Sequence, residues 1–232
     1  KTSTQKIFIW IRAMRKIPIL LFSFLLFTAC SNSGIYRELG QSIMNAFNYD
    51  EDIPSSEIIK IPYASMQLRV GATPYTLIIL EEEKDDILKW TSSNLIKIYT
   101  LNGKIIRLTG FQNELTELEL DPKHPLVETN FKEFKKEIYT SYYTFRNPNL
   151  FRLPVKTKFK ILGEETISIL DEEVETFILE ERSEKNLINW KFTNLYWISI
   201  KDNEVVKSRQ SFTPKNPEVN FKILKKYKKS PL

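Results

Sequence analysis

Few side chains in this 232-residue chain could do chemistry, and the most telling is its one cysteine. Cys30 follows a basic Arg15-Lys16 pair, an apolar run from Ile17 to Phe27, and the small residues Thr28 and Ala29. That order is the n-region, h-region and exit of a secretory signal. A lone thiol forms no disulfide framework and no multi-thiolate metal site. The one histidine, His124, stands between Pro122 and Pro125 with no nucleophile elbow or Ser-His-Asp order around it, and reads as a loop residue. A single imidazole also excludes His-rich zinc or copper sites, so no metal or other cofactor is expected.

Carboxylates are plentiful. Glu164, Glu165, Asp171, Glu172 and Glu173 flank predicted strands, and two held at the right separation could hydrolyse a glycosidic bond. So many lie in turns that no pair stands out, and they read as solvated. Trp90, Trp190, Trp197, Tyr196, Tyr142 and Tyr143 could stack on sugar rings, although in a β-rich chain such residues mostly fill the core. Arg69 to Pro74 is a turn, not a phosphate loop. The net charge of +5 does not point to nucleic acid either. Of 34 Lys and Arg, five lie in residues 1–29 with no acid, which leaves 29 bases against 29 acids in the remainder. A phosphate-binding face needs a clustered positive excess, and only the tail from Lys222 to Lys229 is clustered, as a solvated tail would be.

Phe27-Thr28-Ala29-Cys30 resembles a bacterial lipobox, whose cysteine takes a diacylglycerol and becomes the acylated first residue of the mature chain. The run from Ile17 to Ala29 would be about 20 Å long as a helix, against about 30 Å of bilayer hydrocarbon, and is too short to span. Extending it back to Ile7 would bury Arg12, Arg15 and Lys16 at a cost of a few kcal/mol each. Met14 is therefore the expected start, with residues 1–13 an upstream extension. Ser31 after the cysteine implies the outer membrane by the sorting pattern of such lipoproteins. More than one acyl chain, palmitate among them, gives stable anchoring, so the expected site is an outer-membrane lipoprotein facing the periplasm.

The elements that follow are mostly strands. Ile35, Leu39, Ile43, Ala46 and Phe47 fall at helical spacing, so Gly34 to Phe47 is one predicted helix; Phe131 to Tyr139 is another, with Phe131, Phe134 and Ile138 on one face. Predicted strands cover Ile58–Ile61, Met66–Val70, Tyr75–Glu81, Leu115–Leu120, Thr140–Phe145 and Thr166–Leu170. Val155, Thr157, Phe159 and Ile161 alternate with polar residues and mark another, ended by Gly163. Thr176–Glu181 and Val219–Leu224 complete the single strands. Thr76–Arg107 and Thr176–Lys207 align without a gap, with identities that include Trp90/Trp190, Asn94/Asn194 and Ile98/Ile198. The pattern is that of an internal duplication or of two unrelated hairpins. Asn102-Gly103 and Asp202-Asn203 are the predicted two-residue turns, which would set Tyr99 opposite Ile106, Tyr196 opposite Arg209 and Trp197 opposite Ser208. About a dozen short strands give a mainly β fold, an antiparallel sandwich or barrel with one or two short helices. The expected organisation is signal and extension over 1–29, lipidated N-terminus, linker and helix over 30–56, and a single β-rich domain over 57–232.

Three stretches carry a resemblance to a known family: Ile61-Pro62-Tyr63-Ala64-Ser65-Met66-Gln67-Leu68-Arg69, the segment Trp90 to Gly110, and Asn194-Leu195-Tyr196-Trp197 with the later Ser208-Arg209-Gln210. From Cys30 to about Leu224 the chain resembles the YjbF/GfcB family of bacterial lipoproteins. Asn203 stands where a glycine is expected in the second turn. The resemblance implies a non-enzymatic lipoprotein encoded with capsule or exopolysaccharide secretion genes, with a polysaccharide-export protein or the glycan as partner besides the membrane. It makes Tyr63, Arg69, Trp90, Tyr196, Trp197, Arg209 and Gln210 candidate binding residues, and Cys30 the lipid site. A polysaccharide-modifying enzyme with a carboxylate pair and a purely structural envelope protein are the alternatives.

Overall fold

Alternation along the chain builds the wall of this fold. In β8 (Tyr139–Arg146), Tyr139, Ser141, Tyr143 and Phe145 are buried and the residues between them are half-buried. In the facing part of β9 (Leu150–Ile169), Val155 and Thr157 point inward while Lys156 and Lys158 stay exposed. A two-residue period with one apolar face commits each strand to a sheet that covers a core. The computed structural model describes residues 48–49, 52–93, 95–131, 133–185, 189–212 and 217–228. Cys30, the signal and the helix expected over Gly34 to Phe47 lie outside them.

The other strands are β1 (Asn48–Tyr49), β2 (Ser65–Val70), β3 (Tyr75–Lys84), β4 (Ile87–Thr91), β5 (Lys97–Leu101), β6 (Lys104–Thr109), β7 (Glu114–Glu119), β10 (Glu172–Lys185), β11 (Trp190–Ser199), β12 (Val205–Gln210) and β13 (Val219–Lys225). Every pairing is antiparallel, mostly between sequence neighbours, and β2 joins β13. β3 closes the ring, with β2 along Thr76–Ile79 and β4 along Ile79–Lys84 on its other side. Twelve strands thus form a closed antiparallel barrel, with β1 appended to β3. Of the sandwich and the barrel expected from sequence, the barrel forms, and closure removes the exposed strand edges a sandwich would keep.

The core inside the wall runs from Met66, Ile78 and Trp90 through Ile105, Tyr143 and Val155 to Trp190 and Phe221. The outer face of β2, β3 and β13 is covered by a short helix, α1 (Ser55–Ile58). Its Ile58, with Ile53 and Ile61, packs on Leu77 and Leu224. A strand was expected at Ile58–Ile61, but Pro54 sets the entry angle and Ile59 N–H closes a helical bond to Ser55 O.

The second expected helix also moves. Pro125–Glu128 is helical (α2), with His124 as N-cap and Pro125 in its first turn, whereas Tyr139 is drawn into β8. Phe131 is buried and Phe134 half-buried against Leu179, Tyr196 and Ile198, anchoring the β7–β8 connection to the barrel.

Gly163 does not end its strand. Leu162 has no partner on β10, where Gly163 pairs with Ile178 and Ile161 with Leu179; beyond this bulge β9 continues to Ile169. Bulges bend strands. The arm past it packs Ile167 and Ile169 on the outward side chains of Trp197 and Val206.

The hairpin registers are shifted by one residue from expectation. Tyr99 faces Arg107, Tyr196 faces Ser208 and Trp197 faces Lys207. Asn102-Gly103 is a two-residue turn, with Leu101 opposite Lys104, but Ile106 then bulges out of register. The second turn is longer than predicted: Asn203 N–H bonds Ser199 O, and Val206 is the extra residue. The two bulges fall at equivalent places in the two similar segments. Upstream the segments part, because the chain reverses between β4 and β5 but runs straight through β11.

Candidate functional site

The alternation of β10 sends Phe177, Leu179 and then Glu181 to the barrel interior, opposite Ile198, Tyr196 and Asn194 of β11. Glu181 is 1% exposed. Its carboxylate accepts from Lys104 Nζ at 2.7 and 2.9 Å, from Asn194 Nδ2 at 3.0 Å and from the Tyr196 hydroxyl. Lys104, fully buried on β6, also donates to Tyr196 Oη at 3.1 Å. Burying two charges costs several kcal/mol each unless geometry and extra hydrogen bonds compensate, and here four donor contacts converge on one carboxylate.

Gln210 extends the network to the backbone. Its Oε1 accepts from Ile105 N–H at 3.1 Å, and its Nε2 donates to Gly103 O at 2.8 Å and to Ser208 Oγ at 2.9 Å. Asn194 Oδ1 accepts from Ser211 N–H at 2.7 Å. The β5–β6 tip is therefore clamped onto β10–β12.

The electrostatics follow from burial and pairing. Burial alone would raise the Glu181 carboxyl, but the Lys104 charge, nearby His124 and the donated hydrogen bonds outweigh it and hold it far below the usual carboxylate range. Burial lowers Lys104 and pushes the Tyr196 and Tyr143 phenols well above theirs. His124 is buried and lowered by desolvation. Its Nδ1 accepts from Leu126 N–H at 3.2 Å, which places the imidazole proton on Nε2. Nε2 stands 3.8 Å from Glu181 Oε1, beyond hydrogen-bond reach, and among the described residues it has no hydrogen-bond partner. The ring meets Phe159 edge-on at 4.9 Å.

Above this network the hairpin tips converge on an open cavity of about 510 Å³. Its floor is apolar, from Trp90, Phe131, Val205 and Phe221; its rim carries Glu83, Asp86, Asp202 and Glu204, with Lys226 and Tyr227. Two tips meet directly at Gly103, which has φ +80° and leaves no room for a Cβ beside Val205. Asn102 Nδ2 donates to Leu126 O at 2.8 Å and Asn203 Nδ2 to Thr129 O at 2.7 Å, so both tips hold the α2 segment. Among the described residues no group of three His, Cys, Asp or Glu is placed to hold a metal.

The residues singled out from sequence divide between two faces. Tyr196 and Gln210 belong to the buried network, and Trp90, 1% exposed with Nε1 donating to Thr100 Oγ1 at 2.9 Å, lies under the mouth. Arg69, Trp197 and Arg209 are on the outer face. The Arg69 guanidinium lies over Tyr75, Trp197 Nε1 donates to Glu165 Oε2 at 2.7 Å, and Arg209 pairs with Glu218 at 3.2 Å. Tyr63 is exposed. His124 lies in the loop before α2, as expected, and as the N-cap of that helix its side chain is turned into the core. Lys104 and Glu181 went unnoticed in the sequence. The inward parity of Phe177, Leu179 and Glu181 was the available signal, since it puts a carboxylate on the apolar face of a strand.

The family model described as "Group 4 capsule polysaccharide lipoprotein gfcB, YjbF" matches residues 28–224. The chain belongs to this YjbF family. Membership of a lipoprotein family makes it a membrane-anchored envelope protein. Among the described residues no helix is long and apolar enough to cross a membrane. The uncharacterized lipoprotein GfcB of Escherichia coli (strain K12) is 23% identical over 205 residues, which covers 83% of this chain and 91% of that protein. The crystal structure of the hypothetical lipoprotein YmcC from Escherichia coli (K12) shares the fold with a TM-score of 0.67 at 23% identity, covering 79% of this chain and 92% of that one.

Proposed function

We propose that this YjbF-family protein is a non-enzymatic lipoprotein of the outer membrane, acylated at Cys30, that supports capsule or exopolysaccharide export by binding the glycan or an export protein from the periplasmic side. The observation that carries the non-enzymatic part is the seal over its most reactive side chains. Lys104, Glu181 and His124 are the groups whose types could exchange protons in a concerted way, and none is more than 1% exposed. A general acid or base must reach the proton it moves, and these are enclosed within the barrel with Tyr196 and Asn194. At the mouth, hydrogen bonds from Lys226 and Ser199 hold Asp202 below its ordinary range, the opposite of what a carboxyl acting as general acid needs. This enclosure favours a role in holding a partner over one in chemistry.

The test is a deletion strain assayed for surface polysaccharide. Wild-type protein restores the polysaccharide, while Cys30→Ser, which takes up no labelled palmitate, does not. Equal labelling of the two proteins, or normal polysaccharide in the deletion strain, rejects the reading.

A further inference from the structure

We infer that α2 is an acid-released latch across one side of the barrel mouth, with protonation of His124 as its release. The whole turn hangs on that one residue. Pro125 has no N–H to give, Leu126 N–H donates to His124 Nδ1 at 3.2 Å, and Val127 and Glu128 N–H donate to the His124 carbonyl at 2.8 and 3.1 Å. The turn in its place closes the mouth. Leu126 O and Thr129 O accept from Asn102 and Asn203 of the two hairpin tips, and Thr129 and Phe131 line the cavity. When His124 leaves its place, the N–H groups of α2 lose their acceptors, the tips lose their hold on that wall, and the mouth widens on that side.

An imidazolium does not fit where the neutral ring sits. It needs an acceptor at each nitrogen, but Nδ1 faces the Leu126 N–H, and Nε2 has no hydrogen-bond partner among the described residues. The groups packed around the ring do not supply one. From β10, Glu181 attracts a positive charge at 3.8 Å, yet its oxygens already take Lys104, Asn194 and the Tyr196 hydroxyl of β11. From β6, the Lys104 ammonium opposes that charge. Asp121, just past β7, favours it, but that carboxylate is held by Lys136 at 2.7 and 2.8 Å and by the N–H groups of Lys123 and Thr140. β8 and β9 present the rings of Tyr139 and Phe159. Desolvation outweighs the attraction of the carboxylates, so the ring takes up its proton by leaving the core.

Amide hydrogen exchange of the full lipidated chain in detergent tests this between about pH 7.5 and 5, with the intrinsic pH dependence of exchange divided out. His124 is the one histidine of the chain, so NMR follows its imidazole in the same sample without ambiguity. Opening of the latch takes up one proton below about pH 6.5, so protection of the Leu126, Val127 and Glu128 amides is expected to fall about tenfold per pH unit, while the amides of β10 exchange far more slowly. His124→Asn and His124→Ser keep a capping side chain that does not titrate, and α2 protection in both is expected to stay level over the same range. Wild-type protection that does not change with pH, α2 amides that exchange no faster than those of β10, an equal loss in the two variants, or an imidazole that takes up its proton while α2 stays protected overturns the proposal. The wild-type measurement decides even where neither variant folds. The polysaccharide assay tests the export role alone, so the latch and that role fail separately.

Discussion

Lys104 Nζ lies 2.7 Å from Glu181 Oε2 with neither side chain open to solvent, joining β6 to β10 across the barrel interior. A pair this dry is costly to break and much cheaper to replace as a unit. Lys104→Met or Glu181→Leu alone should destabilise the fold by about 3–5 kcal/mol, because each strands a buried charge. The double variant should lose far less than the sum, giving a coupling energy that urea denaturation of the four proteins measures. Additive losses would show that the two groups do not depend on each other.

Acid should weaken the fold in two stages. His124 is held below its ordinary value of 6.5 because its burial disfavours the imidazolium. The unfolded chain therefore takes up the proton first, so the His124 contribution is complete above pH 6.5 and is lost as pH falls below it. Glu181 is also held low, so its contribution is complete above its ordinary 4.5 and is lost on further acidification. His124→Asn keeps a side chain able to cap α2 and should flatten the urea midpoint between pH 6.5 and 5 while leaving the lower stage. An unchanged slope would mean that His124 does not titrate in that window.

The alternation of β8 and β9 was plain in the sequence because the wall separates core from solvent residue by residue. Asn102-Gly103 was plain too, since both residues hold positive φ in the turn. What escaped detection depends on distant partners. Lys104 and Glu181 are 77 residues apart in the chain, and although parity turns Glu181 inward, nothing local to either residue names the partner that neutralises it. Phe131 and Phe134 share a helical spacing, yet they are fixed by Leu179 and Tyr196 on other strands, and tertiary burial overrode the local pattern. The bulges at Ile106 and Val206 shifted both registers without any glycine to announce them.

Gly103→Ala should cost about 2–4 kcal/mol, from the left-handed backbone at φ +80° and the overlap of the new methyl with Val205. Gly163→Ala is the contrasting case. It also has positive φ, at +149°, but an added Cβ meets nothing within 4 Å, so only the backbone part of the cost applies. Thermal unfolding should rank the two variants in that order, and Val205→Ala should recover part of the Gly103→Ala loss. Equal losses at the two glycines would remove the case for a direct contact between the hairpin tips.

Trp197 holds the β9–β10 arm against the outer wall. Its ring packs with Ile167 and Val206, Lys207 Nζ lies 4.2 Å above it, and its Nε1 donates to Glu165 past the Leu162 bulge. Trp197→Ala removes all three contacts and should cost about 3–5 kcal/mol. Trp197→Phe keeps one ring of the packing and loses the hydrogen bond, for about 1–2 kcal/mol. Among the described residues the arm beyond Gly163 has β10 as its one strand partner, so its loosening should be local. Hydrogen exchange in Trp197→Phe should therefore quicken over Glu164–Ile169 while β8 and β11 stay protected. Uniform acceleration across the barrel would instead show that Trp197 supports the whole fold, with the arm no more dependent on it than the rest.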